Sequence, residues 1–399
     1  MIESRLSAHA ALTAGAGANV APGQVVVLDA KLGQEDVARA IAAECYRRGA
    51  HQVEVRYGDP YVNLARLRLA PDEALGSVLP WVRRRPEEMA ELRCAWIALS
   101  GPAAPGLLDQ IDPARIGRDS VALVEWNRVI DERTVAWTIV PGPSAAWAGL
   151  VFPDLPADAA LERLWEALER ILRLDEPDPV AAWRERSAQL TTAAARLDRA
   201  GLDSLRFVGP GTDLTVGLIS GVRWAGGGLS TAWGREHVPN LPTEEVFTSP
   251  DPERTEGVVT ATKPLLVSGR AIDGLRVRFE AGRAVQIDAD DGVSLLRELV
   301  RRDADGNRLG EVALVDASGR VGPSGIVFQD TLLDENAASH IAFGAGFGHL
   351  ARDPSTAARI NSSAVHTDFM IGGPEVTVTA VTGDGREVPV LIDGAWALP

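Results

Sequence analysis

Apolar residues follow two different periods along the first part of the chain. "GQVVVLDA" (23–30) is a short apolar run typical of a buried strand, and "HQVEVRYG" (51–58) predicts a second strand. Between them, "QEDVARAIAAECYRRG" (34–49) has Val37, Ile41 and Cys45 at helical spacing, with Gly49 at its end. A strand, a helix and a strand in succession predict a βαβ unit and a parallel sheet covered by helices.

Further along the chain the pattern changes twice. Strands are predicted in "CAWIALSG" (94–101), "SVALVEW" (120–126) and "VAWTIVPG" (135–142), and a charged helical stretch over 157–200 ends at Gly201. Beyond 203, short strands alternate with Gly, Pro and Asp turns, as in "SLRFVGPGTDLTVGLIS" (204–220). We therefore expect an α/β N-terminal domain over 1–202, with a parallel-type sheet, and an α+β C-terminal domain over 203–399.

Composition narrows the classes of function. A chain of 399 residues favours two domains, and a net charge of −15 argues against nucleic acid and anionic membranes as partners. No apolar run reaches the length of a membrane span, and the mixed charges of "MIESRLSAHAALTAG" (1–15) do not fit a secretory signal. A cytoplasmic protein is expected. The turn "DAKLGQED" (29–36) lacks a glycine-rich phosphate-binding pattern, so a dinucleotide site there is not expected.

The stretch "SSAVHTDFMIGG" (362–373) carries the first candidate chemistry. In an extended strand it places His366 and Asp368 on one side, because strand side chains alternate. Such a pair is either part of a metal site or a hydrogen-bonded pair in an ordinary strand, and the stretch alone leaves both open.

Other acidic and imidazole groups lie in apolar or turn-rich surroundings. In "NLPTEEVFTSP" (240–250), Glu244 and Glu245 face opposite ways if extended, so at most one points inward. Glu311 begins the apolar strand "RLGEVALV" (308–315), where an unpaired carboxylate would be costly. Glu335 precedes His340 by five residues in "LLDENAASHIAFGAGF" (332–347). For each residue alone, a structural role is the more frequent one; the same holds for His349.

Taken together, these phrases resemble the metallo-aminopeptidases of the aminopeptidase T, aminopeptidase S and PepS type. The resemblance also includes "TKPLLVSG" (262–269) and, more weakly, "NVAPGQVVVLDA" (19–30), so it extends over nearly the whole chain in the same order. It implies a metal-dependent aminopeptidase that removes N-terminal residues from short peptides and forms a homodimer.

The resemblance also implies a site with two divalent metal ions per chain, which could be Zn, Co, Mn or Mg. The ligands carry over as Glu245, Glu311, His340, His366 and Asp368, with Glu335 as a further ligand or an outer group. Glu311 is expected to bridge the two ions, about 3.5–4 Å apart. Glu244 or Glu335 could then carry the proton.

One position departs from the family pattern. A tyrosine that follows the "HIA.G" phrase and counts among the family's site residues is replaced here by Phe347, and the three tyrosines of the chain all lie in the first 61 residues. Two alternatives stay open. One, indicated by Phe347, is a relative with altered or no activity. The other is a ring-cleaving dioxygenase, whose fold the chain also resembles, with one iron held by His340, His366 and Asp368. Glu245 and Glu311 argue against it, because a single iron does not need them.

Overall fold

The computed structural model describes residues 2–119, 124–267 and 270–398. Its N-terminal part contains a parallel sheet in the order β2-β1-β3-β4. These strands are β1 (Val25–Lys31), β2 (Gln52–Gly58), β3 (Ala95–Ser100) and β4 (Ala136–Pro141). The helices of this part are α1 (Ile2–Leu12), α2 (Glu35–Arg47), α3 (Pro60–Leu69), α4 (Pro80–Glu91), α5 (Pro113–Asp119), α6 (Val124–Asp131), α7 (Ala145–Val151), α8 (Ala157–Ile171) and α9 (Pro179–Ala200).

The strand predicted over 120–126 is wrong for the part that the structure describes. Residues 124–126 begin helix α6, and 120–123 lie outside the described residues. The cause is visible in the sequence, since Trp126, Val129 and Ile130 have helical spacing and Val129 is buried. A short apolar run cannot by itself be assigned to a strand or to a buried turn of helix.

The C-terminal part is built from antiparallel sheets. Its strands are β5 (Leu202–Gly209), β6 (Thr212–Leu218), β7 (Ala225–Gly226), β8 (Leu229–Ser230), β9 (Glu236–His237), β10 (Glu245–Thr248), β11 (Pro250–Thr260), β12 (Leu265–Val267), β13 (Arg270–Ile272), β14 (Arg276–Glu280), β15 (Arg283–Asp288), β16 (Leu309–Val315), β17 (His340–Gly344), β18 (His366–Met370), β19 (Thr377–Thr382), β20 (Glu387–Ile392) and β21 (Ala395–Trp396). The helices are α10 (Val293–Val300), α11 (Thr331–Asp334) and α12 (Pro354–Ala357). Single turns of other helical types occur at Thr13–Gly17, Asp72–Ala74, Gly322–Ser324, Glu335–Ala337 and Gly348–Leu350.

Two larger sheets organise this part. One runs β15-β14-β11-β6-β5-β19-β20-β21 and the other β18-β17-β16-β10-β7, while β8-β9 and β12-β13 are small hairpins. The α/β N-terminal and α+β C-terminal fold class predicted from the sequence is confirmed.

The hydrophobic cores show how the two parts join. Helix α9 contributes Trp183 to the N-terminal core and Leu190 to the C-terminal core, and it ends at Gly201 in the left-handed conformation. In return, Leu241 and Phe328 from the C-terminal half pack into the N-terminal core. The domain boundary near residue 202 therefore stays a prediction. No helix among the described residues is both long and apolar enough to span a membrane.

Candidate metal centre

The five-stranded sheet has one apolar face and one polar face. The apolar face packs into the C-terminal core through Val246, Val312, Leu314, Ile341, Phe343 and Phe369. Because strand residues alternate, the opposite face carries the residues in between. That face holds Glu245 on β10, Glu311 on β16, His340 on β17, and His366 and Asp368 on β18.

The pairing register places these residues side by side. Glu311 and Asp368 both lie opposite Ala342 of β17, the strand between them, so a single small side chain separates the two carboxylates. His340 lies two residues before Ala342 on β17 and pairs with Ala313 of β16, and Glu245 of β10 pairs with Val315 of β16. The structure thus brings together all five residues that the sequence predicts as metal ligands.

His340 is held with one ring nitrogen toward the carboxylates. Its Nδ1 lies 3.2 Å from the carbonyl oxygen of Ala338, to which it donates if it carries the proton. Its Nε2 lies 2.9 Å from Glu245 Oε2. That oxygen is buried, yet it has no hydrogen-bond partner of good geometry among the described residues. Two ligand atoms that converge without a proper hydrogen bond between them are in the arrangement expected around a shared cation.

His366 is oriented in the same way on the neighbouring strand. Its Nδ1 lies 2.9 Å from the carbonyl oxygen of Ala345. Its Nε2 lies 3.2 Å from Glu311 Oε2 and 3.3 Å from Asp368 Oδ1. A backbone carbonyl that fixes Nδ1–H leaves the Nε2 lone pair free for a metal, which is the usual support for a histidine ligand.

The pKa values of the carboxyl groups show how strongly the cluster favours a cation. Burial raises the pKa of Glu311 to about 7, and the charges of Asp368 and Glu245 act in the same direction. Burial and the same two charges raise the pKa of Glu335 well above its ordinary value. These carboxylates are therefore costly to ionise together unless a cation is present.

The pKa values of the two histidines are also raised, which for an imidazole favours the charged form. Burial alone would lower the pKa of His340, but the surrounding carboxylates, Glu245 first, raise it to about 10. Burial is likewise outweighed at His366, whose pKa is raised by Asp368 and Glu311. Without a metal, protons on the two imidazoles supply the positive charge that the carboxylates demand.

The donor set fits divalent ions. Two groups of three residues each have ligand atoms within 4.8 Å of one another: Glu245, Glu311 and His340 in one, and Glu311, His366 and Asp368 in the other. Glu311 belongs to both. Mixed imidazole and carboxylate donors suit Zn, Co, Mn or similar ions.

The cluster opens into a cavity of about 340 Å³ between the polar face of the five-stranded sheet and the N-terminal sheet. Glu335 lines this cavity but belongs to neither group of three. Much of the remaining wall is apolar and comes from both halves of the chain: Ile130, Trp137, Ile139, Leu229, Phe247 and Leu332.

Glu244 does not line the cavity, in contrast to the proton-transfer role considered for it from the sequence. Its fully buried carboxylate pairs with Arg173 at 2.8 Å and Arg186 at 2.5 Å, and Arg186 also contacts Asp316 at 3.2 Å. The alternation between Glu244 and Glu245 sends the two side chains to opposite sides. Glu244 is therefore a structural ion-pair residue, and of the two candidates only Glu335 stays near the ligands.

Phe347 is part of the cavity wall. Its ring lies 5.5 Å from that of His366, 5.0 Å from that of Phe247 and 5.9 Å from that of His349. Its backbone N–H donates to Ser249 Oγ at 2.8 Å, so the segment is fixed by a backbone contact that does not depend on the side chain. The cavity therefore has an apolar ring next to a predicted metal ligand.

Comparison with known proteins identifies the family of the chain. A family model for thermophilic metalloprotease (M29) matches residues 2–396. The chain belongs to the M29 family. The resemblance seen in the sequence is thereby confirmed. This M29 protein is 41% identical to aminopeptidase T of Thermus aquaticus, over 98% of each chain.

Solved structures give the same relationship. The structure of wild-type AmpT from Thermus thermophilus matches with a TM-score of 0.90 and 39% identity, covering 99% of the M29 protein and 100% of AmpT. A 2,5-dihydroxypyridine dioxygenase from Pseudomonas putida KT2440 matches with a TM-score of 0.54 and 11% identity, over 99% and 97% of the two chains. The second likeness shows a shared fold alone.

Sequence reasoning missed the contributions that come from far along the chain. Asp131 lies at the end of α6, and its Oδ1 is 3.5 Å from Nδ1 of His349, 218 residues later. Arg173 and Arg186, the partners of Glu244, lie on or near helices whose pattern shows only a charged surface. No local signal in the sequence indicates such contacts.

Proposed function

We propose that this chain is a metal-dependent aminopeptidase that removes the N-terminal residue of short peptides with two divalent ions, one held by each group of three ligands. Membership of a metalloprotease family and the relatives' names support the class of enzyme. The single observation that supports two ions is the position of Glu311 within both groups. Three buried carboxylates, if ionised together, would otherwise leave unbalanced negative charge.

Divalent ions in such a site would lower the pKa of a water molecule, polarise the scissile carbonyl and bind the free α-amine of the peptide. The chain's own groups supply the rest. His340 and His366 would bind the ions through Nε2, because their Nδ1 atoms are fixed by backbone carbonyls. Glu335 takes the proton of the attacking water and delivers it to the leaving amine, since it lies in the cavity outside both groups.

The apolar walls fit the rest of the substrate. Trp137, Leu229 and Phe247 surround the space beside the ligands and exclude water from it. Such a wall favours an N-terminal residue with an apolar side chain. The α-amine that the ions would bind exists only at the N-terminus of a peptide, which suits an exopeptidase better than an endopeptidase.

Metal analysis and a matched pair of peptides test the proposal. We expect about two Zn, Co or Mn ions per chain, release of free leucine from Leu-Gly-Gly, and none from its N-acetylated form. Glu311→Gln should abolish release and lower the metal content, whereas Glu375→Gln, which changes an exposed carboxylate outside the cavity, should change neither. One iron per chain with oxygen uptake would instead support the dioxygenase alternative. Bound metal without release from any peptide would support the inactive relative.

A further inference from the structure

His349 is a cavity residue to which the proposed reaction gives no role. It lines the cavity beside Phe347, and only 8% of its side chain is exposed. Its Nε2 is buried with no hydrogen-bond partner among the described residues. A buried ring nitrogen without a partner costs free energy in the empty protein unless something else binds to it.

Asp131 orients this imidazole from the other half of the chain. Its carboxylate lies 3.5 Å from Nδ1 of His349, on the ring edge away from Nε2. A carboxylate beside Nδ1 favours the tautomer with a proton there. Nε2 can then accept a hydrogen bond from an N–H group, and such groups occur along a peptide backbone.

The burial of the site residues shows which part of a peptide would reach His349. Among the predicted ligands the side chain of His340 is 1% exposed and that of His366 is 35% exposed, so the ligand cluster is nearest to solvent at His366. The ring of Phe347 contacts that of His366 and also that of His349, so Phe347 and His349 form the cavity wall on this side. An aminopeptidase substrate has its amine at the buried end, so its later residues pass this wall.

The separation agrees with that placement. The ring centre of Phe347 lies 5.5 Å from that of His366 and 5.9 Å from that of His349. Each of these distances corresponds to between one and two residues of extended peptide, at about 3.3–3.6 Å per residue. His349 belongs to neither group of ligand atoms, so a contact with the substrate is open to it.

From these contacts we infer that His349, positioned by Asp131, hydrogen-bonds the substrate's peptide backbone on the leaving-group side of the scissile bond. The inference rests on the proposed aminopeptidase function and specifies that His349 recognises peptides and not merely any N-terminal amino acid derivative. Asp131 is a positioning residue, because it acts through His349.

Two substrates separate this role from a structural one. Leu-Gly-Gly has backbone beyond the scissile bond, whereas leucine p-nitroanilide has none. His349→Ala should lower kcat/KM for Leu-Gly-Gly about 10–100-fold, as expected for loss of a hydrogen bond to a charged or polar group, and for the anilide less than about threefold. Asp131→Asn should show the same selectivity with a smaller loss, since asparagine keeps an oxygen near Nδ1.

Controls keep the interpretation independent of folding and of the activity itself. His51→Ala changes an exposed histidine outside the cavity and should leave both substrates unaffected. Metal content and melting temperature should match those of the wild type in every variant. Calorimetry with a Leu-Gly-Gly analogue whose scissile amide is reduced to a methylene-amine should show the same 10–100-fold weakening in His349→Ala.

Equal losses on both substrates, or no loss on either, would overturn the inference. A wild-type protein that binds two metals but hydrolyses neither substrate would contradict the proposed function instead. In that case binding of the reduced analogue still tests the role of His349. Weaker binding to His349→Ala than to the wild type would support the contact. Equal affinity for both proteins, or no binding to the wild type, would refute it.

Discussion

Replacing Glu244 by Gln should unfold this protein more easily without stopping its chemistry. The carboxylate is fully buried and contacts Arg173 at 2.8 Å and Arg186 at 2.5 Å. Removing one partner of a buried ion pair costs about 3–5 kcal/mol because it leaves an uncompensated charge. Arg186 keeps its contact with Asp316, which places the expected loss near the lower end, at about 3 kcal/mol.

The matched variant is Glu335→Gln, the same chemical change at a cavity carboxylate. It should lower kcat about 10²–10⁴-fold, the usual contribution of a proton-transfer group, and leave stability within about 1 kcal/mol. Its stability should hold because the amide relieves repulsion from Asp368 and Glu245, which raise the pKa of the carboxyl it replaces.

Thermal unfolding and peptide hydrolysis measure the two effects separately. Glu244→Gln should lower the melting temperature by about 6–12 °C, from about 2–4 °C per kcal/mol for a domain of this size. Its kcat for Leu-Gly-Gly at 25 °C should stay within about threefold of wild type. A Glu244 variant with normal stability and metal content but a hundredfold lower kcat would refute the structural role and restore its place in proton transfer.

Three further outcomes follow from the same geometry. Phe347→Tyr puts a hydroxyl next to His366 and should raise kcat/KM for Leu-Gly-Gly roughly tenfold, which is within the worth of one added donor; an unchanged rate would show that this position does not limit the reaction. Ala342→Leu places a larger side chain between Glu311 and Asp368, so metal analysis should find the bound ions lost, while Ala342→Gly should retain them. Divalent metal should bind more tightly as pH rises, because the pKa of His340 is raised to about 10 and its ring must lose a proton to bind. The affinity should rise up to about tenfold per pH unit for each proton released. Calorimetric affinities that are equal at pH 6.5 and 7.5 would contradict this linkage.

Sequence patterns predict those features of the site that depend on neighbouring residues, and not those that depend on pairing between distant strands. The alternation in "VHTDF" places His366 and Asp368 on one face, and the same rule separates Glu244 from Glu245. These predictions succeed because the period of a strand is a local property. The register that places Glu311 and Asp368 on either side of Ala342 is set by pairing between residues more than 25 positions apart, which no local period contains.

Resemblance supplied what periodicity could not. It grouped Glu245, Glu311 and His340 before any pairing was known, because the motifs as a set are specific to one family. It could not supply Asp131, whose contact with His349 depends on how α6 sits against the C-terminal half. It also gave Glu244 a possible chemical role that its burial between two arginines removes.

The number of carboxylates in the cavity bears directly on the choice between hydrolysis and oxygen chemistry on this fold. A single iron needs two histidines and one carboxylate, which His340, His366 and Asp368 would already provide. The chain nevertheless places Glu245 and Glu311 against those residues, and burial together with the neighbouring charges raises the pKa of Glu311 to about 7. Two additional buried carboxylates would destabilise a site that holds one ion, since each adds a charge without a partner. A second cation would turn that cost into binding free energy, so this ligand set supports the two-metal hydrolase proposed above, although the fold is shared with an oxygenase.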